Sequence, residues 1–368
     1  MDFENWYRRN PDFPHRYIPP TTLEKFLQKN LSDYNRVIGT SYAGKNIRML
    51  TLGSGPVRVI AWSQMHGNES NATHALLDLW ESLQYRPDLR DQLFSEITLD
   101  FILMLNPDGS EVWNRRNAQD IDLNRDFLKL ESKELPILKE AVRTGNYHYG
   151  LNLHEQRTIF TTDGVHPATF SFLSPSVSPE RELTETRKKG MAVIARIYEK
   201  LNLYIPHQTG RYTDEFYPAS TGDNFSRMGL PVILYEGGHF PEDYERKHTR
   251  KYYTLALYEG LKAMAQLRGS TSGFGGYFEI PENQETHYDF IYRNVKLNTG
   301  FDCVLDVAVQ YKEELLPGNE EITFTPVVVA AGDVGDKKGW KEMDCTGKKF
   351  ICDSEFPKLD HVVNFRIE

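Results

Sequence analysis

The chain has 368 residues, 39% of them apolar and 26% charged, and its 43 Lys and Arg against 52 Asp and Glu give a net charge of −9. That balance excludes a disordered chain, and no run approaches the roughly 18 apolar residues that a bilayer span needs. It also lacks the basic excess of a phosphate-tracking surface, so neither nucleic acid nor a membrane is an expected partner. The N-terminus has no apolar stretch of the secretory kind, and three cysteines are too few for a disulfide framework. Reduced thiols and a cytoplasmic location are therefore expected, with a Cys345–Cys352 hairpin bridge as the oxidised alternative.

Residues 1–45 are Pro-rich and aromatic, a lead-in with one amphipathic helix, TTLEKFLQKNL, opened by a Thr cap. From residue 46 apolar runs alternate with helical periods: IRMLTLG, VRVIAWS, ATHALLDLWESL, ITLDFILMLNP, SKELPILKEAVR and YGLNLHE. That alternation marks an α/β sheet covered by helices. A long helix is expected over 179–201, a buried strand at PVILYEGG and a final helix over 247–267, closing a main domain at residues 46–268. The Gly/Ser-rich segment 269–276 reads as a hinge. Beyond it, residues 277–368 show period-two alternation and almost no helical signal, as in a small all-β sandwich or barrel.

The strand VRVIAWS runs into QMHGNES, which delivers His66 and Glu69 to the carboxyl edge of the sheet, where open α/β sheets bind ligands. Alone, His-x-x-Glu is a weak signal, since a first-turn Glu is expected from the helix dipole. LNLHEQ adds His154 at the end of another apolar strand. Two His and one Glu leave a fourth position open, the ligand set of a catalytic zinc. Glu236, delivered by PVILYEGG into a Gly-Gly turn, is the candidate proton carrier; a structural ion pair with some Arg is the alternative, because an unpaired buried carboxylate is costly. NPDGSEVWNRRNAQDIDLNRDF brings Arg115, Arg116 and Arg125, with Asn117 and Asn124, to the same edge. Arginine forks fit carboxylates and developing oxyanions, although any single Arg here is equally explained by a solvated loop. Among the other histidines, His74 reads as packed within a helix, His148 and His207 as turn residues, and His239 as a neighbour of the YEGG strand end. Glu155, beside His154, reads as either solvated or attractive to basic groups.

Taken together, HGNE, the pattern RxNAxxxDLNR, His154 on its own strand and Glu236 on a late strand resemble the M14 zinc carboxypeptidases over roughly residues 40–268. The resemblance implies a mixed sheet with helices on both faces, followed here by the small all-β domain. It implies one zinc ion on His66, Glu69 and His154, with Glu236 as general base and acid and Arg115 on the scissile carbonyl. Asn124 and Arg125 would hold the substrate's terminal carboxylate, and Asp122 would orient the first ligand histidine. FYPASTGDN resembles the mobile loop whose Tyr closes over substrate, which makes Tyr217 the counterpart and Tyr212 its competitor. Asn224 stands where a pocket-floor residue is placed. Asp120 departs from the Gly common in relatives, and Asp tolerates the left-handed backbone of such a turn.

The implied substrate is a peptide or small amide with a free carboxylate, cut at its C-terminal amide. The alternative enzyme class is an N-acyl amino acid deacylase of the aspartoacylase or succinylglutamate desuccinylase type, whose members share HGNE, a DLNR stretch, the late Glu and a C-terminal β domain. NPDG, Arg115 and the Tyr217 loop favour the peptidase. A non-catalytic binding module is the third reading; such proteins usually lack a ligand or the base, and here none is missing.

Overall fold

The computed structural model describes residues 2–368. In chain order its helices and strands are α1 (Phe3–Trp6), α2 (Pro20–Asn30), β1 (Asn35–Thr40), β2 (Asn46–Leu52), β3 (Val57–Ser63), α3 (Asn71–Tyr85), α4 (Pro87–Phe94), β4 (Ile97–Leu103), α5 (Pro107–Glu111), α6 (Leu135–Gly145), β5 (Tyr149–Glu155), β6 (Phe160–Thr161) and β7 (Phe170–Leu173). They continue with α7 (Glu185–Leu201), β8 (Thr209–Arg211), α8 (Thr221–Arg227), β9 (Val232–Gly237), α9 (Lys247–Leu267), β10 (Gln284–Glu285), β11 (His287–Lys296), β12 (Val304–Leu315), β13 (Ile322–Gly332), β14 (Lys338–Asp344), β15 (Phe350–Cys352) and β16 (Phe365–Ile367). No helix among the described residues is long and apolar enough to cross a membrane.

Eight strands form one mixed sheet in the order β1-β2-β4-β3-β5-β9-β7-β8, with β4, β3, β5 and β9 parallel at its centre. Central parallel strands are buried on both faces and so read as continuous apolar runs, as VRVIAWS does. Alternate residues of β3 serve two cores: Val59 and Ala61 join the helices α3, α7 and α9 on one face, while Ile60 and Trp62 pack with Leu135 and Leu138 of α6 and Phe225 of α8 on the other. The expected mixed sheet with helices on both faces is what the chain adopts.

Three helix starts differ from the sequence expectation. α2 begins at Pro20 rather than at a Thr cap, because a proline at the first helical position has its φ preset and lacks only an N–H that would be unpaired there anyway. α3, expected from near Asn68 with Glu69 in its first turn, begins at Asn71, so His66 and Glu69 both lie on the turn that precedes it. α7 begins at Glu185, six residues after the expected start, since Arg181 takes a left-handed φ of 56° and the Thr184 hydroxyl accepts the Arg187 N–H.

The tail folds into a four-stranded sheet, β13-β12-β11-β14, and a β15-β16 pair around a small core that includes Val295, Val307, Val328, Phe350 and Phe365. Cys303, Cys345 and Cys352 are all free thiols, so the Cys345–Cys352 bridge is not formed. The segment 274–279 is a 3-10 turn whose Tyr277 is buried in the larger core. The tail meets the rest of the chain at β10–β6, at a Tyr17–Trp113–Ile322 cluster and through Glu313 of β12.

Candidate metal centre

His66 follows β3 through a tight turn in which Gln64 takes a φ of 47° and its amide donates to the Gly67 carbonyl and the Ser110 hydroxyl. Gly67 has no room for a side chain: a Cβ there would stand 2.1 Å from the Gly109 carbonyl carbon and 2.3 Å from the Ser110 nitrogen. The His-Gly-Asn-Glu loop is thus seated directly on the Asn-Pro-Asp-Gly turn. That turn is the short helix α5, capped by the Asn106 side chain, which accepts the Gly109 N–H at 2.9 Å. A further bond runs from the Gly67 N–H to the Arg115 carbonyl at 3.3 Å, tying the loop to the arginine segment.

β5 carries His154 on the opposite face from Leu151 and Leu153, which are in the core, and β9 carries Glu236 likewise opposite Tyr235. The two are register partners across the parallel β5–β9 pair, so their side chains leave the same face of the sheet. His66, Glu69 and His154 are nearly inaccessible, at 2%, 5% and 2% exposure.

Their donor atoms converge. The Nδ1 atoms of His66 and His154 lie 3.2 Å apart, and each faces one Glu69 oxygen, at 2.7 and 2.8 Å respectively. Two imidazole nitrogens and a carboxylate on so small a triangle match the edge, about 3.3 Å, of a tetrahedron of donors around one zinc-sized cation. Among the described residues this is the one group of three that could hold a metal ion. Asp122 Oδ1 lies 3.1 Å from His66 Nε2, placed to accept its N–H and to turn Nδ1 toward the centre. His154 Nε2 is buried without a partner. The donor set fits a zinc ion with one open position.

The cluster's own groups set its charge states: burial opposes a proton on His66, but the Glu69 charge and the Asp122 and Glu69 hydrogen bonds outweigh it and raise the imidazole, so ligation there would displace a proton. Burial pushes the His154 imidazole below its ordinary pKa, so it is neutral near pH 7. Burial works against charge on Glu69 and Asp122 as well, yet His66 and its neighbours outweigh it and hold both carboxyls well below the ordinary range. Glu236 goes the other way: burial first, then the Glu69 charge, raises it well above an ordinary carboxylate. A divalent cation held by Glu69 would act against that rise by favouring the ionised carboxylate. Among the described residues Glu236 has no hydrogen-bond or ion-pair partner, so the structural pairing with an Arg is absent.

Arg115 lies across the mouth of the centre, with Nη1 3.1 Å from His66 Nδ1 and 3.4 Å from Glu69 Oε1, while Nε and Nη2 donate to Asp122 Oδ2. Asn124 uses its side-chain oxygen on the Thr221 N–H, which leaves its amide hydrogens unspent. Arg125 donates to the Asn124 carbonyl, lies 5.5 Å from the centre of the Tyr217 ring and acts on Asp223 only at longer range; it forms no ion pair among the described residues. Arg116, by contrast, folds back on the Asp120 carbonyl and reads as a solvated loop residue. Asp120 takes the left-handed turn, at φ 60°, as expected of an Asp there.

The two tyrosines are placed differently. Tyr217 is 48% exposed at the rim, its hydroxyl donating to Glu215 Oε2 at 3.2 Å. The Tyr212 hydroxyl is anchored on Gln156 Oε1 at 2.7 Å, and burial followed by the charges of Glu236 and Glu69 raises its pKa, which sets it beside the centre. Asn224 spends both amide hydrogens on the Pro218 and Ser220 carbonyls, where it shapes the loop. Glu155 is neither solvated nor open to substrate: it is fully buried, ion-paired to Arg16 and Arg246 and capped by the Asn71 N–H at 3.2 Å. Arg16 lies 139 positions away in the lead-in, so no local pattern marks the pair. Two cavities lie away from this cluster, one of about 220 Å³ beneath α2 and one of about 410 Å³ beside α1 and α9.

A family model described as zinc carboxypeptidase, Peptidase_M14, matches residues 23–224. Among curated proteins, carboxypeptidase SOL1 of Arabidopsis thaliana is 30% identical over 125 residues, 30% of this chain; the match spans 26% of that relative's length. Among solved structures, a metallo-carboxypeptidase from Burkholderia cenocepacia superposes with a TM-score of 0.54 at 17% identity, over 67% of this chain and 69% of that one. Bovine thrombin-activatable fibrinolysis inhibitor, solved with tick carboxypeptidase inhibitor, gives 0.55 at 14% identity, over 68% and 98%. At these identities the two structures establish likeness of fold.

Proposed function

The chain belongs to the zinc carboxypeptidase family, and from that premise we propose that it is a metallopeptidase that hydrolyses the C-terminal amide bond of peptides. The observation that carries the reading is Glu236: a raised carboxyl without a partner, in register with His154 at the edge of the three-donor cluster. Family membership supports zinc chemistry, and a single ion on His66, Glu69 and His154 is the arrangement their geometry favours. When bound, zinc would acidify a water molecule and polarise the scissile carbonyl.

The protein's own groups do the rest. Glu236 accepts a proton from the attacking water and returns it to the leaving nitrogen, work for which a carboxyl raised above the ordinary range is suited. Arg115, held by Asp122, offers its guanidinium to the carbonyl oxygen as charge develops there. Asn124 and Arg125, with unspent donors, take the substrate's terminal carboxylate, and Tyr217 covers it from the rim. Asp122 holds the His66 ring in the tautomer that points Nδ1 inward.

The test is Glu236→Gln in the zinc-loaded enzyme, assayed on blocked dipeptides alongside acetyl-aspartate and succinyl-glutamate. We expect turnover of the dipeptides to fall by about a thousandfold with zinc content unchanged. Undiminished turnover in the variant would remove Glu236 from its role, and wild-type activity confined to the N-acyl amino acids would replace the peptidase reading with a deacylase.

A further inference from the structure

Behind the metal centre lies a second group of buried charges that joins three parts of the chain. Arg16, from the lead-in, is ion-paired with Glu155 and with Glu313 of β12, and it also donates to the Tyr244 carbonyl at 3.0 Å. The side chains of Arg16, Glu155 and Glu313 are 1%, 0% and 4% exposed, so they see almost no solvent screening. Arg157 makes a second ion pair with Glu313, and Arg246 completes the group by pairing with Glu155 and donating to the Gln156 and Gly238 carbonyls.

Glu155 connects this group to the metal donors in two ways. Its backbone N–H donates to Glu69 Oε2 at 3.2 Å, and its carboxylate accepts the Asn71 N–H, at the start of the helix that follows Glu69. It is also the residue after His154, at the end of the same strand. The carboxylate behind both Glu69 and His154 is therefore held by an arginine whose other prong rests on the tail sheet.

We propose that the four-stranded sheet is part of the metal centre: Glu313 is a positioning residue that, through Arg16 and Glu155, sets the alignment of Glu69 and His154. The inference rests on the reading that these residues hold zinc. Removing the Glu313 charge leaves Arg16 and Arg157 without the carboxylate they share, and Glu155 as the one carboxylate still paired with Arg16. Arg16 then shifts, Glu155 follows, and the Glu155 N–H and the His154 ring move off the shared Glu69 carboxylate. Breaking one partner of a buried charge group is strongly unfavourable because the remaining charge is uncompensated.

The experiment uses the full chain and two probes, Zn²⁺ in competition with a chelator and the visible absorption of the Co²⁺-loaded protein. For Glu313→Gln we expect zinc affinity to fall about tenfold and the cobalt spectrum to change, the size seen when groups that support metal ligands are altered. Arg16→Lys, which keeps the charge but not the two-pronged bridge, should do the same, and it carries the test if the Gln variant does not fold. Val307→Ala, buried in the same sheet away from these charges, should lower thermal stability and leave both metal readouts as in wild type. Wild-type affinity and spectrum in either Glu313→Gln or Arg16→Lys would overturn the proposal. Failure of the wild-type protein to bind zinc would instead overturn the underlying reading of the site.

Discussion

The central strands β3, β4 and β5 of the eight-stranded sheet expose almost nothing on either face, whereas most residues of β12 and β13 in the tail sheet stand half in solvent. The thick region surrounds its strands with two extensive cores, while the thin one has only two small clusters, one around Val307 and Phe350 and one around Ile291 and Ala308. Glu69 and Glu155, at the thick sheet's edge, are buried carboxylates that packed structure supplies with partners, while Glu236 beside them has none. The tail sheet contributes charge at its border instead, with Glu313 reaching toward that edge.

The largest effect expected of this contrast comes from the thick region's polar edge. Glu69→Ala removes the carboxylate that both Nδ1 atoms face; zinc content should drop to background, and peptide turnover with it. Stoichiometric zinc in that variant would place the metal elsewhere. A smaller and more direct comparison pairs two fully buried valines. Val59→Ala, between helix-covered cores, should cost about 3 kcal/mol in denaturant unfolding, and Val307→Ala, in a thin core able to collapse, about 1.5 kcal/mol. Equal losses would break the distinction between the sheets.

Much of this organisation is legible in the sequence, for a physical reason. Donors at the ends of apolar strands have little freedom in where they emerge, so VRVIAWS, YGLNLHE and PVILYEGG place His66, His154 and Glu236 at one edge before any tertiary detail is known. The change from helical to alternating periods near residue 277 likewise announces the tail sheet. Contacts between distant segments leave no such trace. The partner of Glu155 is Arg16, and the seat of Gly67 is the backbone at Gly109 and Ser110; neither spacing nor hydropathy encodes them. Helix starts escape the apolar periodicity where a proline or a left-handed residue sets the boundary instead, as at Pro20 and Arg181. Tyr212 was visible as a rival to Tyr217, but its anchoring on Gln156 is a tertiary fact.

The smallest expected effect is on pH. His74, buried in the thick region with Nε2 2.9 Å from the Arg16 carbonyl, is held well below its ordinary pKa, by burial first and by Arg250 next. The unfolded chain therefore binds a proton below about pH 6.5 that the folded one refuses. Stability from this group is complete above that pH and falls below it, by up to about 1.4 kcal/mol per pH unit. His74→Gln should flatten the dependence of unfolding free energy between pH 6.5 and 5 by one proton; an unchanged slope would show that the folded protein protonates His74.

The missing side chain at Gly67 carries a practical consequence for anyone redesigning this protein. Because the two loops touch backbone to backbone, a substitution at that position would shift His66, a proposed metal donor, and the Arg115 segment together, and random libraries there would mostly yield inactive clones. The exposed stretch around Tyr217 carries no such interlock, so diversification aimed at new substrates belongs on that rim.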